Sequence, residues 1–423
     1  MLTSGLQIIA LLAFIYWIAM LWDTFQARKH MVRLPSGDPR SAGQKSGPFA
    51  AAAAGAAREG AAFSSSSDAR WKDLPLVSVI IAAKEEEASI TATVKHLLHQ
   101  TYPRLEIIAV NDRSRDGTGR KLEELRRWSE GRERIPVPLK IIHVTHLPEG
   151  WLGKNHALYQ GFQQARGQLL LFTDADVLFE PDAVADAVRY MKEHQVDHLT
   201  LAPRMIVRGF WLRAFVNYFF FTLSLYVRPW RSNIDAQHKH GMGIGAFNLL
   251  TRAAYERIGT HRALALRPDD DLVLGHRVKQ ARLRQRLASG QEHIAVEWYP
   301  SLRAAVKGLE KNLFSGFQYR ITLAAAALLG QALLFLLPFA AVWLAGGWAA
   351  WLFAGSIAIM IAVYLQLIRS LTGGIGIEVL ALPATICILC YIVARSVLLT
   401  LKQGGIYWRG TFYSLDELKQ MQR

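Results

Sequence analysis

The stretch "GWLGKNHALYQGFQQARGQLLLFTDADVLFEPDAV" runs from Gly150 to Val184. At its centre the apolar run Leu169–Phe172 delivers the chain onto Asp174-Ala175-Asp176. A short apolar run between turn-forming residues reads as a buried strand. The segment before it, Gly153–Ala165, sets Ala157, Phe162 and Ala165 along one face of a helix. A buried strand that ends on two carboxylates spaced by one small residue makes a hard oxygen site. Mg²⁺ or Mn²⁺ is held by one or two carboxylates, water and substrate phosphates. Such a metal could bridge a diphosphate and stabilise the charge that builds on it as it leaves.

Upstream, the same rhythm repeats. "LVSVIIAA" (Leu76–Ala83) is an apolar, β-branched run, and "KEEEASITATVKHLLHQ" follows it with helical spacing. "LEIIAV" (Leu105–Val110) ends on the turn-rich "NDRSRDGTG", then comes the helical "RKLEELRRW", then "LKIIHV" (Leu139–Val144). Strands alternating with helices of this size predict an α/β fold, a parallel sheet with helices on both faces. Ligands of such sheets bind beyond the carboxyl ends of the strands. Glu85-Glu86-Glu87, Asp112 and Asp174-Ala175-Asp176 all lie just past such ends. The acids of three strands are therefore expected to converge on one crevice.

The rest of the 423 residues is of another kind. The chain is 51% hydrophobic with a formal net charge of +15. Its apolar runs account for that charge as the flank of a membrane protein, so nucleic acid is not expected as a partner. Gly5–Trp22 is uncharged and near the minimum length of a span, with Arg28, Lys29, His30 and Arg33 behind it. A retained anchor with its basic flank in the cytoplasm is expected, not a cleaved leader. Ile321–Leu344 and Trp348–Ile368 carry no charge, and Val379–Leu401 carries only Arg395, which is expected to snorkel. The aromatic segment Gly209–Trp230 suits either an interfacial helix or a core helix of the soluble domain. Cys387 and Cys390 sit inside an apolar run and read as small buried residues rather than a redox or metal pair. His238, His240 and His276 lie in basic, polar surroundings and read as solvated or interfacial.

The expected organisation is an anchor and basic flank at 1–35, an Ala-, Gly- and Ser-rich linker at 36–70, and a catalytic domain at 71–320. About three transmembrane helices at 321–401 and a tail at 402–423 complete it. The protein is expected in the cell membrane, multi-pass, with its catalytic domain in the cytoplasm.

In their order, the motifs resemble those of the family 2 glycosyltransferases, an inverting group with a GT-A (nucleotide-diphospho-sugar transferase) fold. The likeness runs from Leu76 to about Arg320. "VSVIIAAKEEEAS" is similar to the first nucleotide-binding strand, with Ala82 in place of the family's Pro, Glu85 in place of its Asn, and Glu86 matching its Glu. "VNDRSRDGT" resembles the base-binding loop, with Asn111 replacing its first Asp and Asp112 retained. "GKNHALYQG" resembles the Gly-Lys-x-x-Ala loop, and "TDADV" the metal motif. "GIGAFNLLTRAAYERIG" looks like the acceptor-side segment, and "RPDDDLVLGHRVKQARLR" like the segment with the catalytic base.

The resemblance implies a nucleoside diphosphate sugar donor held by Ala82, Glu86, Asp112, Lys154 and Asp174. It implies Mg²⁺ or Mn²⁺ on Asp176 and Asp174, and Asp271 as general base beside Asp270, with the run Asp269–Asp271 leaving the register open by one. The processive pattern Gln-x-x-Arg-Trp is not seen, and "NLFSGFQYR" stands in its place, which implies addition of one sugar. The membrane layout is similar to transferases that glycosylate hopanoids, carotenoids or ceramide, and implies a lipid hydroxyl acceptor. Transfer to a polyprenyl phosphate and a non-catalytic binding role are the competing readings.

Overall fold

The computed structural model describes residues 2–36, 74–131, 137–371, 376–408 and 411–420. From residue 37 on, the segment expected as a linker lies outside these. The chain forms two compact units, one of residues 31–205 and 229–296, the other of residues 1–30, 206–228 and 297–423.

The first unit is built on the repeats read above. Its strands are β1 (Val32–Arg33), β2 (Val77–Ala83), β3 (Leu105–Asp112), β4 (Leu139–Val144), β5 (Leu169–Asp174), β6 (Val177–Phe179), β7 (His198–Ala202), β8 (Arg204–Met205), β9 (Asn248–Thr251), β10 (Gln285–Ser289) and β11 (Ile294–Val296). Eight of them make one sheet in the order β1-β10-β7-β9-β5-β2-β3-β4. Every neighbouring pair is parallel except those made by β9, which runs antiparallel to both β5 and β7. A second small sheet has the order β6-β11-β8.

The apolar runs are continuous because both faces of the sheet are covered. Val77, Val79 and Ile81 of β2, with Leu169 and Leu171 of β5, enter one core. Ile80, Leu170 and Phe172 enter the other, against Leu158 and Tyr255. This is the period of two expected of a strand. Register then aligns the strand ends. Ala82 pairs with Val110 on one side and Asp174 on the other, and Ala83 pairs with Asn111. The crossover helices Ile90–Leu98, Thr118–Glu130 and Gly153–Gln164 return the chain between these strands.

The second unit is helical. Among the described residues, five of its helices are long and apolar enough to cross a membrane: Ser4–His30, Phe210–Val227, Ile321–Leu344, Trp348–Arg369 and Ile377–Gln403. The sequence suggested four. The fifth, Phe210–Val227, is the aromatic segment left open between two roles, and it clusters with the apolar helices and not with the sheet. Its Phe221 stacks on Trp17 at 6.2 Å, and Tyr218 donates to Gln331 at 2.5 Å.

The span Ile321–Leu344 widens into a π-helical turn at Gln331–Leu336, just before Pro338. Proline has no N–H to give the carbonyl four residues back. That carbonyl belongs to Leu334, and the Trp17 indole N–H serves it instead at 2.9 Å. Arg395 does not simply reach for solvent: its guanidinium pairs with Glu310. Arg213 likewise pairs with the buried Glu378. Of the cysteines, both are free, and Cys387 is exposed.

Candidate active site

The ends of β2, β3 and β5 present Ala82, Asp112 and Asp174 along one edge. Lys154 stands in the first turn of Gly153–Gln164 and reaches that edge. Its ammonium lies 3.0 Å from Asp174 Oδ1 and 3.4 Å from Asp270 Oδ1. Although burial opposes its charge, Asp174, Asp270 and Asp271 together hold Lys154 well above the usual lysine range. Lys154, Asp174, Asp270 and Asp271 line one pocket, with Phe172 and His261 on its apolar side.

The acidic run is sorted by its surroundings. Asp269 turns onto the Arg267 guanidinium, at 2.9 Å. Asp270 and Asp271, in the first turn of the helix Asp270–Gln280, face the pocket. Each oxygen of Asp271 accepts one backbone N–H, Oδ2 from Gly245 at 2.9 Å and Oδ1 from Leu272 at 2.8 Å. Burial pushes both carboxyls up, Asp270 to about 7, against the pull of Lys154. A carboxylate that keeps basicity near neutral pH is suited to taking a proton.

Two close approaches require glycine. A Cβ on Gly245 would lie 2.5 Å from Asp174 Oδ2, and one on Gly153 would lie 2.2 Å from Asp112 Oδ2. The second approach sets Asp112 against the start of the lysine helix. Asp112 is buried and bound on both oxygens by Arg113, at 2.7 and 3.1 Å. Asp112 does not line the pocket itself.

Glu86 anchors the loop after β2. Its backbone N–H donates to Thr118 Oγ1 at 2.8 Å, and its carboxylate accepts from Ser89 at 2.9 Å. Asp176 stands two residues beyond the strand end. Burial, then Asp174 and Glu86, push its carboxyl up to about 6. Three acids thus share a region where Lys154 is already engaged, a charge balance that fits an added cation.

Several residues that support this site were not legible in the sequence. Asn155 is buried, and its amide nitrogen donates to the carbonyls of Leu264, Ala265 and Arg267 at 2.6, 3.3 and 2.9 Å. Leu152 N–H adds a bond to Ala265 O at 2.8 Å. The lysine loop and the loop leading to Asp270 are thereby joined. A second chain of bonds supports Asp271 from behind. Gln285 donates to His198 Nδ1 at 2.7 Å, and His198 Nε2 donates to Asn248 Oδ1 at 3.1 Å. Asn248 then donates to Ile244 O at 2.9 Å, next to Gly245. His261 is the third such residue. Of the histidines singled out earlier, His276 meets Gly241 N–H at 3.3 Å, and none falls in a metal-binding group among the described residues.

A mostly parallel sheet whose strand ends gather such acids around a lysine defines the GT-A class of nucleotide-diphospho-sugar transferase folds. The family described as Glycosyl transferase family 2 matches residues 78–259. It is similar to Probable glycosyltransferase YdaM of Bacillus subtilis, 41% identical over 27% of this chain and 26% of that one. It is similar also to 4,4'-diaponeurosporenoate glycosyltransferase of Staphylococcus aureus, 24% identical over 57% of this chain and 61% of that one. The chain spans less than two thirds of the length of these curated relatives. Among solved structures it is similar to a mannosyltransferase from Pyrobaculum calidifontis in complex with GDP-Man and Mn²⁺. That likeness is 17% identical, covers 93% of this chain and 98% of that one, and has a TM-score of 0.48.

Proposed function

We propose that this protein is a membrane-bound, inverting, non-processive glycosyltransferase that moves one sugar from a nucleoside diphosphate sugar to a lipid hydroxyl. The observation that carries the reading is Asp271, a partly buried carboxylate of raised basicity, oriented by two backbone N–H groups beside Lys154 and Asp174. A hydroxyl is a poor nucleophile near neutral pH and needs such a base. As the acceptor oxygen bonds to the anomeric carbon, its proton passes to Asp271. The bond from that carbon to the diphosphate oxygen breaks on the opposite face, and the nucleoside diphosphate leaves. One displacement inverts the centre.

Lys154 supplies fixed positive charge at the strand ends, suited to the charge that develops on the leaving group. Glu86, Asp112 and the backbone at Ala82 form the nucleotide side of the edge. Asp174 and Asp176 would hold a divalent cation, Mg²⁺ or Mn²⁺, which supplies counter-charge to the diphosphate when bound. Among the described residues no three His, Cys, Asp or Glu side chains form a complete metal site. Two carboxylates with substrate and water oxygens is the set that suits Mg²⁺. The lipid acceptor and the multi-pass membrane location rest on the five apolar helices and on what the Staphylococcus aureus relative's name says it glycosylates. The cytoplasmic side of the domain rests on the basic residues after the first helix.

The test is release of nucleoside diphosphate by membranes given a panel of nucleotide sugars and a lipid extract, with mass spectrometry of the lipids. A new glycolipid that requires the gene supports the reading. A lipid-linked sugar phosphate replaces the hydroxyl acceptor with a polyprenyl phosphate. Absence of any nucleotide-sugar turnover or binding overturns it.

A further inference from the structure

His261 has no part in the mechanism above, yet it is buried at the wall of the same pocket. It follows Tyr255–Ile258 through the turn at Gly259–Thr260, and its ring packs edge-on against Phe172 at 4.8 Å between centroids. Its contacts determine which ring nitrogen carries the proton. The backbone N–H of His261 donates to Tyr255 Oη at 2.9 Å, and the same Oη lies 2.6 Å from Nδ1 of the ring. Tyr255 is fully buried, so its single hydroxyl proton needs an acceptor, and Nδ1 is the one it meets among the described residues. Nδ1 therefore accepts, and the proton of the neutral ring sits on Nε2. Burial, reinforced by the Lys154 charge, lowers the ring to about 3, so it stays neutral at any working pH.

The other donors of the pocket are engaged. Lys154 is shared by Asp174 and Asp270, Thr173 donates to Ala246 O at 2.8 Å, and the Asn248 amide donates to Ile244 O at 2.9 Å. Among the described residues, Nε2 of His261 meets no acceptor. The pocket thus offers three carboxylates as acceptors and one uncommitted neutral N–H. A fully ionised phosphate has no proton to donate to these acids. A sugar hydroxyl, which both donates and accepts, satisfies both sides.

We propose that His261 is a sugar-recognition residue, with Tyr255 fixing its tautomer so that Nε2–H donates to a hydroxyl oxygen of the donor sugar. This rests on the glycosyltransferase reading. It assigns sugar selectivity to the apolar wall of the pocket, apart from the acids.

The test has two arms, on the full chain in lipid nanodiscs. In the first, ¹⁵N NMR of histidine-labelled protein, assigned with His261→Phe, reads the tautomer without any ligand. Nε2–H is expected, and Nδ1–H would overturn the proposal. In the second, calorimetry compares UDP with UDP-glucose, and GDP with GDP-mannose. His261→Phe should weaken the sugar nucleotide by about tenfold, the size of one hydrogen bond that is well made, and leave the free diphosphate unchanged. His261→Gln, which restores an N–H, should recover most of the loss. Equal losses for sugar nucleotide and free diphosphate, or none for either, would overturn the sugar contact and leave the proposed function standing. If wild type binds no nucleotide and no nucleotide sugar, the proposed function fails and this inference with it. Tyr255→Phe provides a second variant should His261→Phe not fold.

Discussion

Lys154 Nζ sits between Asp174 Oδ1 at 3.0 Å and Asp270 Oδ1 at 3.4 Å, so one ammonium ties the end of β5 to the start of the helix Asp270–Gln280. Lys154→Met removes the only cation that either acid meets in the described pocket. Asp174 is partly exposed, but leaving the buried Asp270 uncompensated costs about 3–5 kcal/mol where such a pair is broken. The variant should lose nearly all turnover and also fall in thermal midpoint. A variant that loses turnover at unchanged stability would show the ammonium acting on the ligand alone.

Asp271→Asn keeps the shape and, through its single acceptor oxygen, one of the two backbone contacts, but removes the basicity. Turnover at saturating donor should fall by about 10²–10⁴-fold, with little change in donor affinity. Asp270→Asn should cost less, and Asp269→Asn least, because Asp269 is turned onto Arg267. An exchange of rank between Asp270 and Asp271 would move the base by one residue. If neither slows transfer, the acceptor is one that needs no base.

The metal reading predicts a binding effect that does not depend on turnover. Mn²⁺ should tighten nucleoside diphosphate binding to wild type, and Asp176→Ala should abolish that gain. Titration with and without a chelator reads both. Undiminished turnover in excess chelator would remove the metal from the mechanism.

Asn155→Ala deletes the donor to the carbonyls of Leu264, Ala265 and Arg267. Leu264 O and Ala265 O keep the N–H groups of Arg267 and Leu152, so the loss falls on the Arg267 carbonyl, at about 1–3 kcal/mol if it is left unpaired. The loop that presents Asp270 and Asp271 should loosen. Turnover should fall at least tenfold, more than donor affinity does, with a loss of roughly 2–4 °C in midpoint per kcal/mol. An equal loss in donor affinity would mean the lysine loop, not the acid loop, had moved.

His198 supplies a pH test. Burial pushes its ring to about 4, below the ordinary 6.5. The unfolded chain therefore takes up a proton in a range where the folded one does not. Stability is fully present above pH 6.5 and is lost as pH falls from there toward 4, at about 1.4 kcal/mol per pH unit for this ring. Denaturant midpoints measured from pH 7.5 to 4.5 should show that slope, and His198→Gln should flatten part of it. His261 adds a slope of the same sign.

Much of this was legible because burial on both faces leaves a plain trace. β2, β3 and β5 are mostly apolar runs, each followed by a turn or an acid, so the strands themselves and the expectation that Glu85–Glu87, Asp112 and Asp174–Asp176 lie just past their ends could be read directly. β9 could not be read as antiparallel, since four residues carry no information about direction. Neither could the two-residue β1 beside β10, whose pairing is decided entirely by tertiary contact. In the site, Asp174 stood out as an acid that closes an apolar strand, and Lys154, Asp270 and Asp271 through the motifs they share with the family 2 glycosyltransferases. Asn155, His198 and His261 did not. Each is a single polar residue whose partners are backbone carbonyls or distant side chains, and no spacing rule marks such pairs.

The antiparallel course of β9 also bears on how the protein is made. Because that strand runs against its neighbours, the segment that enters it, at Gly245, lies against Asp174 and braces Asp271. Asp174 thus leaves the ribosome about a hundred residues before Asp271, a separation that slows pocket closure because distant contacts form late. Until then the nascent sheet carries its acids with only Lys154 for company. The residues assigned to the nucleotide, Ala82 to Asp176, are all made in this early half, and the aromatic helix Phe210–Val227 also emerges before Asp270 and Asp271.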